Sequence, residues 1–140
     1  MTASKYNSEG YYDPTTYEAL SCIEREERVA KYRPLVYICS PYSHGCINTN
    51  IENARKYSRF AVDRHCLPIT PHIYFTQFMD DTVSEERETA IFMNLVLMRK
   101  CVELWVFGDT ISAGMKAEIE RAERKHMKIR YFTEELEEKE

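Results

Sequence analysis

The run Leu35-Val36-Tyr37-Ile38-Cys39 is apolar throughout, with no polar residue alternating along it. A short continuous run of this kind reads as a strand covered on both faces, as happens when helices pack above and below a parallel sheet. Working downstream, Ser40 to Asn48 reads as a loop and Asn50 to His65 as a helix, with Ile51, Ala54, Tyr57 and Ala61 as its inward stripe. Leu67 to Thr70 is a second strand, and Pro71 to Asp81 an aromatic-rich loop holding His72, Tyr74, Phe75 and Phe78. Ser84 to Lys100 reads as a helix burying Ile91, Leu95 and Met98, and Val102 to Phe107 as the third strand. Ile111 to His126 is another helix and Lys128 to Phe132 the last strand. The acidic segment Glu134 to Glu140 reads as a fraying, solvated end.

Upstream, residues 1–12 form a polar arm, and Asp13-Pro14 opens a helix with Asp as N-cap and Pro at the first helical position. Tyr17, Leu20 and Ile23 give that helix an apolar side suited to packing or to contact with another copy, before Pro34 ends it. Three segments result: an N-terminal arm and helix over residues 1–33, an α/β domain over 34–133, and an acidic tail over 134–140. The fold expected is a small doubly wound sheet, Rossmann-like or flavodoxin-like and mostly parallel, flanked by helices and carrying an N-terminal helical appendage.

Composition narrows the function classes. The 140 residues are 44% hydrophobic and 30% charged, which is globular rather than disordered composition. A net charge of −4 argues against binding a nucleic-acid polymer, since no basic field is available to neutralise its phosphates. No apolar run approaches the ~20 residues of a membrane span, and residues 1–10 lack the apolar core of a signal peptide. The five cysteines are odd in number and lack CxxC spacing, so they read as reduced thiols of a cytoplasmic protein. His44 with Cys46, or His65 with Cys66, has no second ligand pair at zinc spacing, so neither a metal nor another cofactor is expected.

Right-handed crossovers place every strand-to-helix loop on one edge of the sheet, and ligands bind outside those carboxyl ends. Three loops therefore share a crevice: Ser40 to Asn48, Pro71 to Asp81, and Gly108 to Met115. The first offers Ser40, Pro41, Tyr42 and Gly45, but neither a GxGxxG fingerprint nor a Walker P-loop. Tyr42 would contact a sugar or orient a carboxylate, or simply pack at the domain edge. In the second, His72 and Phe75 are candidates to hold a base, with core and lid packing as the alternative for its rings.

The third loop leads from a buried strand into a helix through Gly108, Asp109, Ser112, Gly114 and Met115. Free N–H groups and the positive dipole end at such a helix start favour an anion. Glu118, one turn past Gly114, flanks the stripe of Met115, Ile119 and Ala122 and points along the crevice wall. Its alternative is a surface ion pair with a neighbour such as Arg121.

The segments VYICSPYSHG, NIENARKYSRFAV, PHIYFTQFMDD and ELWVFGDTISAGMKAEIERA, in order over roughly residues 35–132, resemble the nucleoside 2-deoxyribosyltransferase-like superfamily. They look most like its branch common in Gram-positive bacteria and their phages. The resemblance is strongest at Ser112-x-Gly114-x-x-x-Glu118. It implies that Glu118 is the nucleophile on the sugar's anomeric carbon and that Ser112 contacts a 5′-phosphate, where nucleoside transferases tend to carry an acidic residue. It also implies a homo-oligomer, since relatives complete their sites with a neighbouring subunit. One departure stands out: the superfamily's acid/base Asp, about two turns before the third strand, falls on Asn94, with Glu88 or Glu86, toward the start of the same helix, as candidate substitutes. The function implied is an N-glycosidase or deoxyribosyltransferase acting on a nucleoside or nucleoside 5′-monophosphate. The alternative is a non-catalytic nucleotide-binding protein, a sensor or sequestering module, using the same crevice.

Overall fold

The computed structural model describes residues 14–42 and 45–139, and the side chains of these except 14–17 and 30. The polar arm, the Asp13 cap, Ser43 and His44 therefore lie outside the described residues, as does the Tyr17 side chain. The chain divides into two units, residues 1–33 and 34–140. The first carries helix α1 (Pro14–Lys31), on which Leu20 and Ile23 are both exposed.

The second unit is the expected α/β domain. Its order is β1 (Leu35–Cys39), α2 (Ile47–Asp63), β2 (Leu67–Ile69), α3 (Pro71–Phe75), α4 (Ser84–Arg99), β3 (Glu103–Phe107), α5 (Ala113–Arg124), β4 (Lys128–Phe132) and β5 (Glu138–Lys139). The strands form one sheet in the order β2-β1-β3-β4-β5, parallel except for the last pair.

Side chains alternate across the sheet with period two, which divides the core in two. Val36, Ile38, Trp105, Phe107 and Phe132 meet Tyr57, Phe60 and Ala61 of α2 on one face. Tyr37, Cys39, Leu104 and Val106 meet Met98 of α4 and Met115, Ile119 and Ala122 of α5 on the other. The first face is aromatic: Phe107 stacks on Tyr57 at 4.2 Å and on Phe132 at 4.9 Å between ring centroids. Helices α2 and α5 both end on a histidine in the left-handed region, His65 at φ 63° and His126 at φ 57°. Each closes its helix with paired bonds, Cys66 N–H to the Ala61 carbonyl and Met127 N–H to the Ala122 carbonyl, which turns the chain directly into the next strand.

Three expectations need correction. The segment after β2 is not all loop, because Pro71 at the first helical position starts the short helix α3. Ile91 is half-exposed rather than buried; the outer part of α4 leaves the sheet, and only Met98 near its end is buried in the core. The acidic tail does not fray. It turns at Thr133–Leu136, where Leu136 packs on the aromatic core, and returns as β5 along β4. Glu138 binds the Arg130 guanidinium through both oxygens at 2.7 and 2.8 Å, and Lys139 Nζ donates to the Gly108 carbonyl at 2.9 Å. Glu138 and Lys139 are thus paired with groups outside the tail, which composition alone does not reveal.

Candidate functional site

Strand order reverses between β1 and β3, because β1 sends its chain outward to β2 while β3 continues the other way to β4. A crevice opens at the carboxyl ends of such a strand pair. Cys39 and Val106 are register partners there, so the segments after both strands leave side by side. A cavity of about 650 Å³ occupies this place, within the range of small-molecule sites. Ser40 and Tyr42 line it after β1, His72 and Phe75 from α3, Asn94 from α4, and Ser112, Gly114, Met115 and Glu118 from the start of α5.

Local sequence explains how each is held. Ser112 is the N-cap of α5, its hydroxyl oxygen accepting Met115 N–H at 3.3 Å, while its own O–H remains free to donate. A Cβ added to Gly114 would meet nothing within 4 Å, so its missing side chain leaves open space at the helix start. Asn50 of α2 donates to the Tyr42 carbonyl at 2.6 Å and fixes the turn after β1. Tyr42 then stacks on His72, with 5.3 Å between centroids and 6° between planes. Thr76 anchors the end of α3 by donating to the His72 carbonyl at 2.7 Å.

Glu118 decides the chemistry. Its side chain is 12% exposed, which removes the surface ion pair with Arg121 as a reading: Met115, Ile119 and Ala122 turn this side of α5 to the sheet. Oε1 lies 3.8 Å from His72 Nε2, whose side chain is 18% exposed. Burial pushes the Glu118 carboxyl up to about 8, and Tyr37 and Cys39 on β1 offset this in part. Neither completes a hydrogen bond to Glu118 Oε2, because that atom and Tyr37 Oη both lack a partner and the Cys39 thiol points to the Met115 carbonyl at 4.0 Å. Burial pushes His72 down from its usual range. Both groups thus favour the uncharged form, and near neutral pH the pair holds one proton on Glu118 rather than a formed ion pair.

Buried polar atoms without partners are rare in native proteins and call for a reason. Among the described residues seven side-chain atoms are in this state, and four of them line this one cavity: Ser40 Oγ, Asn94 Oδ1, Glu118 Oε2 and Arg121 Nε. Together they offer a hydroxyl, an amide carbonyl, a carboxyl and a guanidinium N–H to whatever fills the space.

Four residues read from sequence as ligand contacts have other places. Pro41 and Gly45 lie outside the lining, Gly45 being exposed at φ 85°. Gly108, at φ 95°, is buried beside the returning tail, and Asp109 pairs with Lys139 at 3.0 Å. Of the spare acidic groups on α4, Glu86 lines the cavity but accepts Asp80 N–H at 2.9 Å, and Glu88 is exposed and outside the lining. Sequence reasoning missed the cationic wall of Arg87, Arg121 and Arg124. The spacing of Arg121 and Arg124, one and two turns past Glu118, was the signal available. No group of three or more His, Cys, Asp or Glu side chains suited to a metal occurs among the described residues. No helix among them is long and apolar enough to cross a membrane.

Residues 34–132 match a family described as a domain of unknown function (DUF7768). The chain belongs to that family. The matched region runs from the residue before β1 to the end of β4, so the family domain comprises all the parallel strands and the whole cavity. The returning tail lies outside the match. No curated protein matches the chain.

Proposed function

We propose that this cavity cleaves or exchanges the N-glycosidic bond of a nucleoside or nucleoside 5′-monophosphate, with Glu118 as nucleophile on C1′. The observation that carries the reading is the Glu118 carboxyl, buried at the cavity wall with Oε2 unpartnered, on the same helix whose Ser112-capped start opens into that space. The resemblance of the Ser112-x-Gly114-x-x-x-Glu118 segment to nucleoside 2-deoxyribosyltransferase-like proteins supports the same roles. The Ser112 hydroxyl and the N-terminal amides of α5 suit a 5′-phosphate, and the rings of Tyr42 and Phe75 in the cavity lining suit a flat base. Attack by Glu118 through an oxocarbenium-like state would give a glycosyl-enzyme, resolved by water or by a second base.

Base release from a panel of ribo- and deoxyribonucleosides and their 5′-monophosphates tests this. Release by the natural chain and its loss on Glu118→Gln are expected. Turnover that survives Glu118→Gln would remove the proposed nucleophile. A second reading, nucleotide binding without turnover, is favoured by Asn94, whose amide can bond a base but cannot carry a proton. Thermal stabilisation by a nucleotide with no base released would select it.

A further inference from the structure

Breaking an N-glycosidic bond requires two proton states in one pocket: an ionised carboxylate against C1′ and a proton for the departing nitrogen. Asn94 cannot carry that proton, Glu86 commits an oxygen to Asp80 N–H, and Asp81 is exposed at the rim. We propose that His72 is the proton donor and acceptor of the site, trading a single proton with Glu118 across the 3.8 Å between Nε2 and Oε1. This rests on the glycosidase reading and supplies the group which that reading lacks.

The geometry carries the assignment. In retaining glycosidases the nucleophile and the acid/base stand about 5–5.5 Å apart, and in inverting enzymes about 6.5–9.5 Å, to admit a water between them. A nearest approach of 3.8 Å leaves no room for that water and lies nearer the retaining spacing than the inverting one. It is also longer than a hydrogen bond, so a small closure on substrate brings the two atoms into transfer distance, as is common for sites without ligand. The imidazole is aimed: its face rests on Tyr42, its backbone is held through Thr76, and Nε2 is turned to Glu118. Both side chains are shielded from bulk water, so the proton stays between them.

The other ionisable groups around the pair leave this exchange intact. Tyr37 and Cys39 approach from β1, and burial holds both well above their usual range, so they keep their protons. Tyr42 is likewise raised. Asp81 and Glu86 line the cavity together with Arg87, Arg121 and Arg124, so its wall holds residues of both signs.

The proton ledger closes. At rest Glu118 holds the proton and His72 is neutral. The proton moves to Nε2, and a Glu118 oxygen bonds to C1′ as the C1′–N bond breaks. That bond pair stays on the base nitrogen, which takes the proton from Nε2. Neutral His72 then removes a proton from water as the water oxygen bonds to C1′ and the Glu118 ester electrons return to the carboxylate. Imidazolium hands the proton back to Glu118. Glycoside and water become sugar and base, with no other reagent consumed.

The test uses the full chain with deoxynucleoside 5′-monophosphates and with 4-nitrophenyl 2-deoxyriboside 5′-phosphate, whose leaving group departs without protonation. His72→Gln should slow first-turnover base release by ~10²–10³-fold while changing the first-turnover burst of nitrophenol only a few-fold, the later turnovers slowing because water then lacks its base. The natural chain should show a bell-shaped pH profile, and the variant a simple rise as Glu118 ionises. Added imidazole should restore part of the base release to His72→Ala. Equal slowing of the first turnover on both substrates, or a bell retained by His72→Gln, overturns the role of His72 while leaving Glu118 as nucleophile. A natural chain that releases neither base nor nitrophenol overturns the glycosidase reading and this proposal with it.

Discussion

Replacing Glu118 with Gln should make the protein more stable in alkaline solution. The unfolded chain carries an ordinary carboxyl near 4.5, whereas burial holds the folded one up to about 8. Between these values the unfolded state ionises and the folded state does not, so the folded state binds more protons and stability falls as pH rises. The loss begins above the unfolded value and is complete once pH exceeds the folded one. Restricting the comparison to about pH 6.5–9 avoids the protonation of His72, and over this window linkage gives about 2 kcal/mol of lost stability. Gln carries no such penalty. Urea unfolding of both proteins across that window should therefore show the variant gaining on the natural chain by roughly this amount, most steeply below pH 8. Groups elsewhere titrate alike in both and cancel in the difference. A difference independent of pH would mean that Glu118 ionises normally and that burial does not hold its proton.

Gly114→Ala should fold as well as the natural chain or better, since an added Cβ meets nothing within 4 Å and Ala exceeds Gly in helix propensity by up to ~1 kcal/mol. The same methyl should weaken nucleotide binding, read as reduced ligand-induced thermal stabilisation. Phe107→Ala should cost about 3–5 kcal/mol in chemical denaturation, because Phe107 is fully buried between Tyr57 and Phe132. Removing residues 134–140 should lower stability by the same measurement, by about 1–2 kcal/mol through lost Leu136 packing, and should free the Arg130 guanidinium; an unchanged midpoint would show the tail to be passive.

What the sequence revealed, and what it hid, follows from the range of the interactions involved. The runs around Val36 and Leu104 were legible because a strand covered on both faces must be apolar throughout. Glu118 was legible because one helical turn from Gly114 places it beside the buried stripe. The short helix α3 was not, since its five residues are too few to show a period. The tail was misread because Glu138 finds Arg130 across an antiparallel pair that no local pattern encodes. His72 looked like a base contact; its place against Glu118 comes from the meeting of two elements far apart in the chain. Arg121 was judged by its helical spacing, which cannot distinguish solvent from a cavity wall.

Both margins of the sheet are blunt. On one side β2 has three residues, and Pro68 in its middle has no N–H to offer; on the other, β5 has two among the described residues. Neither is a template on which another chain can lay a strand, so the fold is guarded against growth by lateral strand addition. That leaves side chain against side chain as the way for copies to meet, and α4 offers the exposed Ile91 and Phe92 for it. An association of that kind is one that single substitutions can dissect.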